Sequence, residues 1–214
     1  ADPEAAWSAL MAELYRDHGR VIFNGNNYDP AWTQEAKRRG LPNIDNTVDA
    51  ILVAREQPVK DVFARHGVMT EGELNARTEV SLKNYATAGR IEAVTMLKMV
   101  RQSILPASAR YSGELTHAVA ETQACGLNAP AQTAMLSDLN KRLNECRVAG
   151  DTLEGALSKM PEGNSALDGA VVFRDIVKPR MEQLRTAVDR LECIVDKAYW
   201  PLPSYGEMLF KIES

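Results

Sequence analysis

The chain has 214 residues, 45% of them hydrophobic and 25% charged, with a formal net charge of −4. These are values of a folded globular protein, and the length allows one core or a small lobe with a bundle. Interspersed charges leave no basic stripe for a nucleic acid. No run approaches the ~18 apolar residues of a membrane span, and the start, with Asp2 and Glu4, lacks a basic then apolar leader. A cytoplasmic protein without nucleic-acid or membrane partners is the expectation.

The first predicted helix carries Trp7, Leu10, Met11, Leu14 and Tyr15 at the three-and-four spacing that gathers them on one face, and Gly19 caps it. Val21-Ile22-Phe23 then meets Asn24-Gly25, which reads as a brief buried strand or as an extended segment entering a tight turn. Asp29-Pro30 opens a second helix that closes at Gly40. Two short helices follow, one after Asn46 and one from about Pro58 to His66, stopped by Gly67. Such short capped pieces have too little apolar face to form a core alone.

At Thr70 the pattern changes. Thr70 and Glu73 form a capping box, and no proline interrupts the stretch to Leu105, with Gly72 and Gly89 as its weak points. Pro106 is expected to kink this helix without ending it, because Ala107 to Cys125 continues with Tyr111, Leu115 and Val119 at helical spacing. Gly126 and Pro130 mark a turn and a restart. Leu136, Leu139, Leu143, Cys146, Gly150, Leu153, Leu157 and Met160 then alternate threes and fours, a helix seam that Pro161 to Gly163 ends. The last long helix repeats this with Val177, Met181, Leu184, Val188, Leu191, Val195 and Ala198, Pro179 being tolerated near its first turns. No aromatic residue occurs between Ser112 and Val172, so these seams bury aliphatic groups.

The reading is therefore all-α, a lobe of short capped helices over 1–69 with one short strand as an option. A long antiparallel three-helix bundle follows over 70–199, and an extended Pro/aromatic tail over 200–214. The tail holds Trp200-Pro201-Leu202-Pro203-Ser204-Tyr205 and needs a surface to lie on.

Residues with chemical potential form no catalytic set. His18, His66 and His117 are far apart, two of them beside helix-ending glycines, and are expected at caps or on the surface. Cys125, Cys146 and Cys193 are an odd number without a CxxC pair, which points to reduced, buried thiols. Asp189, Arg190, Glu192 and Lys197 fall on a solvated helix face. Phe23-Asn24-Gly25-Asn26-Asn27 has one glycine and no following Lys-Ser/Thr, so it is a turn and not a phosphate loop. Met96, Met99, Met135 and Met160 read as adaptable packing. No catalytic, cofactor-binding or metal-ligating residue is assigned. Two classes stay open, a structural or oligomerisation part of a larger enzyme and a free-standing helical adaptor or sensor.

The short-helix lobe and the apolar, proline-rich tail favour the first, and several phrases in order point the same way. Arg20-Val21-Ile22-Phe23-Asn24-Gly25-Asn26 with Tyr28 and Trp32, Glu35-Ala36 and Arg39-Gly40-Leu41 are followed by Arg77 with Glu79-Val80 and Ile91-Glu92-Ala93. Ile104-Leu105-Pro106-Ala107 with Tyr111 comes next, and the chain closes on Trp200-Pro201-Leu202-Pro203, Tyr205 and Leu209-Phe210. Together they resemble the C-terminal region of the large, type III glutamine synthetases, with Asn27 where many members have glycine. The resemblance implies a parent enzyme that ligates ammonia to glutamate through γ-glutamyl phosphate, using ATP and Mg²⁺ or Mn²⁺ held by glutamates and a histidine upstream of this sequence. It also implies an upstream catalytic domain on the same polypeptide and assembly into stacked hexameric rings. The chain alone is then expected to be inactive and to carry no cofactor.

Overall fold

A computed structural model describes residues 2–161 and 165–210, so Gly163, read above as part of a helix stop, lies outside the described residues. All regular structure among the described residues is helical, and backbone contacts gather the chain into two compact units, Ala1–Ala50 and Ile51–Ser214.

In the first unit, helix α1 (Pro3–His18) starts on Asp2, whose carboxylate accepts from the Glu4 N–H at 3.1 Å, with Pro3 in the first turn where its missing N–H costs nothing. At Gly19 the chain tightens into a 3₁₀ turn, Gly19–Val21, and continues extended through Ile22. The strand option for Val21-Ile22-Phe23 is thus not realised. No second strand lies alongside, and the carbonyls of Arg20 and Ile22 accept instead from the Arg39 guanidinium. Val21 is also exposed, not buried. Helix α2 (Pro30–Arg38) is capped by Asp29, which accepts from the Ala31 N–H at 2.8 Å, and it is closed by Gly40 at φ +69°. Helix α3 (Thr47–Val53), capped by Asn46, carries the chain across the unit boundary.

In the second unit, helix α4 (Gln57–Arg65) ends at Gly67, φ +65°, and is tied to helix α5 (Glu71–Met99) by Lys60 to Glu71 at 2.8 Å. Arg55, just before α4, reaches Glu79 of α5 at 2.6 Å. The capping box at Thr70 is complete: its hydroxyl accepts from the Glu73 N–H at 3.2 Å and the Glu73 carboxylate accepts from the Thr70 N–H at 2.8 Å. Helix α6 (Leu105–Ala124) continues α5 through a π turn, Val100–Ile104. Helix α7 (Pro130–Leu157) returns after Gly126, and α8 (Ala166–Val172) leads through a second π turn, Phe173–Val177, into α9 (Lys178–Glu192).

The two π turns share one cause. Each lies just before a proline, Pro106 or Pro179, which cannot donate to the carbonyl four residues back and whose ring crowds it. Widening the preceding turn, so that the Leu105 N–H bonds the Val100 carbonyl and the Lys178 N–H the Phe173 carbonyl, lets the helix pass the proline. The expected kink at Pro106 takes this form.

The bundle order follows from side chains that meet. Arg101 bridges to Glu154 at 2.6 Å and Asp151 at 3.3 Å, and Ser112 meets Asn140 at 2.9 Å, so α5–α6 and α7 are antiparallel. Phe173 packs on Gly89 and Gly169 on Ala86, which sets α8–α9 parallel to α5. The seams close over one core containing Leu97, Ile104, Leu139, Cys146, Leu153, Val177, Leu184 and Leu191. Thr78 and Ser108, both buried, are satisfied by the carbonyls of Leu74 and Ile104.

The last seam is shorter than its apolar repeat. α9 stops at Glu192, Val195 stays buried from within a turn, and Ala198 is exposed. Asp196 accepts from the Ala198 N–H at 2.7 Å, and Trp200 precedes Pro201 and so leaves the helical region. Beyond it, Tyr199, Trp200 and Leu202 lie against the bundle's own core, and the Tyr199 hydroxyl donates to Glu114. The extended run ends at Ser204, which with Glu207 caps a short helix, α10 (Tyr205–Phe210).

Candidate functional site

The titratable groups singled out in the sequence are not brought together. His18, His66 and His117 are all exposed, the first in the last turn of α1 and the second capping α4. Among the described residues no group of three or more His, Cys, Asp or Glu side chains is placed to hold a metal ion. Asp189 pairs with Arg185 at 2.6 Å and Lys197 with Glu207 at 3.3 Å, ordinary solvent-facing contacts. The expectation of three buried thiols is corrected: only Cys146 is buried, and burial pushes its pKa up to about 11. Cys125 and Cys193 cap the ends of α6 and α9, where the last turn opens to solvent. Met96 and Met160 pack on the core, whereas Met99 and Met135 are exposed.

The most built site in the first unit is the turn after Phe23. The Phe23 ring stacks on Trp32 of α2 with centroids 4.4 Å apart, and the Arg39 guanidinium lies 5.7 Å above it. Arg39 also donates to the Ile22 carbonyl at 2.5 Å and the Arg20 carbonyl at 3.2 Å, and to Glu35 at 2.6 Å. Glu35 accepts from Arg38 as well, and these bonds, that from Arg38 foremost, hold its carboxyl down at about 2. Gly25 is required here, since a Cβ would fall less than 3.0 Å from Phe23 ring carbons. The chain entering the bend at Gly25 is therefore held by Arg39 from 16 to 19 residues away, through Phe23, Ile22 and Arg20, a long-range contact that local spacing does not reveal. Its outer side, with Arg20 and Arg38, borders an open cleft of about 760 Å³.

The second feature is α1 itself. Trp7, Leu10, Met11, Leu14 and Tyr15 do share a face, and that face is uncovered, each residue being 45–66% exposed. Val21 and Ile22, just beyond the helix, are exposed as well. A 16-residue helix thus turns an apolar stripe to solvent.

The glutamine synthetase C-terminal domain family model matches residues 6–123, from within α1 to the last turn of α6. The chain belongs to this family. A glutamine synthetase of Butyrivibrio fibrisolvens is 31% identical over 205 residues, which is 95% of this chain and 29% of that protein. A type-3 glutamine synthetase of Dictyostelium discoideum is 27% identical over 213 residues, again 29% of its length, and a glutamine synthetase of Bacteroides fragilis (strain YCH46) is 25% identical over 196 residues, 27% of its length. The chain thus spans well under a third of the relatives it matches. The family match takes in both the Phe23 turn and α1, and the relatives' similarity extends over the long bundle as well. No described helix is long and apolar enough to cross a membrane.

Proposed function

We propose that this chain is the C-terminal helical region of a cytoplasmic glutamine synthetase that joins ammonia to glutamate at the expense of ATP, and that its own part is structural. Chemistry through γ-glutamyl phosphate calls for clustered carboxylates around metal ions and cationic groups on the transferred phosphoryl. In this reading ATP and Mg²⁺ or Mn²⁺ belong to the catalytic portion of the parent polypeptide, and the chain itself performs no catalytic step.

The observation that carries the reading is the uncovered stripe of α1 in a chain matching only 27–29% of its relatives' length. Fully burying one Leu or Trp side chain stabilises by about 1.5–3 kcal/mol, a gain left unused while the stripe faces water. In this reading the lobe over 1–69 seats the chain on the catalytic portion, and the bundle over 70–199 contributes rigidity and interface area between subunits of a homo-oligomer of stacked hexameric rings. The tail over 200–214 closes the bundle end.

The test is made in the complete reading frame that contains this sequence. Leu10→Asp with Leu14→Asp places two charges in the stripe and is expected to lower the yield of assembled, active enzyme at least severalfold while leaving helicity intact. Unchanged assembly and activity would remove the basis for the assignment of α1. Deleting 70–199 probes the bundle in the same way, and unaltered oligomeric state and activity would contradict its role.

A further inference from the structure

We propose that the cleft beside the Phe23 turn binds a small molecule through a phosphate or pyrophosphate group. The cleft is formed within the first 40 residues, so the inference does not depend on the role assigned to the whole chain. Arg20, Arg38 and Arg39 all border it, together with Asn24, Gly25 and Tyr15. Glu35, the one carboxylate bonded to this cluster, does not line the cleft; it holds Arg38 and Arg39 from behind. Three guanidinium groups against one carboxylate leave the cleft with two uncompensated positive charges, and Arg20's side chain has no charged partner among the described residues.

Arg39 is fixed by four anchors, the Phe23 ring, Glu35 and two backbone carbonyls, so that one wall of the cleft is preorganised. Asn24 and Gly25, the latter at a bend where a Cβ cannot fit, are part of the same lining. The shape of the donor set chooses the ligand class. A planar carboxylate is satisfied by a single guanidinium fork, whereas three guanidinium-bearing residues bordering one open cleft, with Asn24 on the same lining, offer donors for the more numerous oxygens of a tetrahedral dianion or of a linked pair of them. The motif is unlike a phosphate loop, since side chains and not successive backbone N–H groups supply the donors.

The experiment titrates the 214-residue chain with inorganic pyrophosphate by isothermal calorimetry in low-salt buffer, with succinate as the carboxylate counterpart. One pyrophosphate per chain is expected, with succinate at least tenfold weaker. Arg20→Ala and Arg38→Ala, both at exposed side chains, should each weaken pyrophosphate about tenfold while keeping the wild-type helicity, and Arg185→Ala on α9 should leave binding unchanged. The proposal is overturned if pyrophosphate does not bind, if the two cleft variants bind as tightly as wild type, if Arg185→Ala loses as much as they do, or if succinate binds equally well.

Discussion

Gly89 offers the sharpest check on the packing of the bundle. On propensity alone, Gly89→Ala in the middle of the 29-residue α5 should stabilise the helix by about 1 kcal/mol. The structure reverses the sign. A Cβ at this position would lie less than 3.0 Å from three carbons of the Phe173 ring. That ring is 5% exposed and is held edge-on by Tyr85, with centroids 5.2 Å apart, so it has no free space to swing into. Overpacking of this kind costs about 1–3 kcal/mol, and displacing the ring forfeits an aromatic pair of about 0.5–1.5 kcal/mol. After the propensity gain the net loss is about 0.5–3.5 kcal/mol. At roughly 2–4 °C per kcal/mol for a chain of this size, the thermal midpoint followed by circular dichroism at 222 nm should fall by about 1–14 °C. Adding Phe173→Leu should recover part of it, leaving the double variant at least about 1 kcal/mol more stable than the two single effects combined. A stabilised Gly89→Ala variant, or strictly additive effects, would refute the argument that Phe173 occupies the place of the missing side chain.

Core and surface contacts of the bundle should separate cleanly in the same assay. Leu153→Ala, at a fully buried seam position, should cost about 2–5 kcal/mol, whereas Arg101→Ala should cost no more than about 1 kcal/mol although it removes contacts to both Glu154 and Asp151, because those groups are solvent-exposed. Thiol titration with an aromatic disulfide at pH 8 should modify Cys125 and Cys193 quickly and Cys146 only after unfolding, since burial raises the Cys146 pKa to about 11 and keeps it a shielded thiol. The Glu35 carboxyl, lowered to about 2 chiefly by its bond from Arg38, contributes stability that is present above the unfolded value near 4.5 and is lost as pH falls through about 2. Its side-chain carbon resonance should therefore titrate with a midpoint near 2, and a midpoint near 4.5 would contradict the Arg38–Glu35–Arg39 cluster.

Much of the helical plan is legible in the amino-acid order because the signals are local. The capping box at Thr70, Asp29-Pro30 and the glycines at 40, 67 and 126, all with positive φ, place ends where they are found. The seam from Leu136 to Met160 is visible because burial repeats every three or four residues. What escapes is which of two competing local signals wins, and whatever depends on partners distant in the chain. The apolar repeat through Ala198 does not reveal that Asp196 and Pro201 end the regular helix first, and Pro106 and Pro179 announce a distortion without saying that it takes the form of a π turn. The same limit applies to the site residues. The spacing of Trp7 to Tyr15 specifies a face but not what covers it, and Phe23-Asn24-Gly25 looks like any tight turn until Arg39 and Glu35 are folded onto it.

The most direct test of the account is glutamine formation from glutamate, ammonia and ATP, measured side by side for this 214-residue chain and for the product of the complete reading frame that contains it. The account predicts turnover by the complete product and none by the chain alone. Turnover by the purified chain, or an inactive complete product that is folded and assembled, would contradict it.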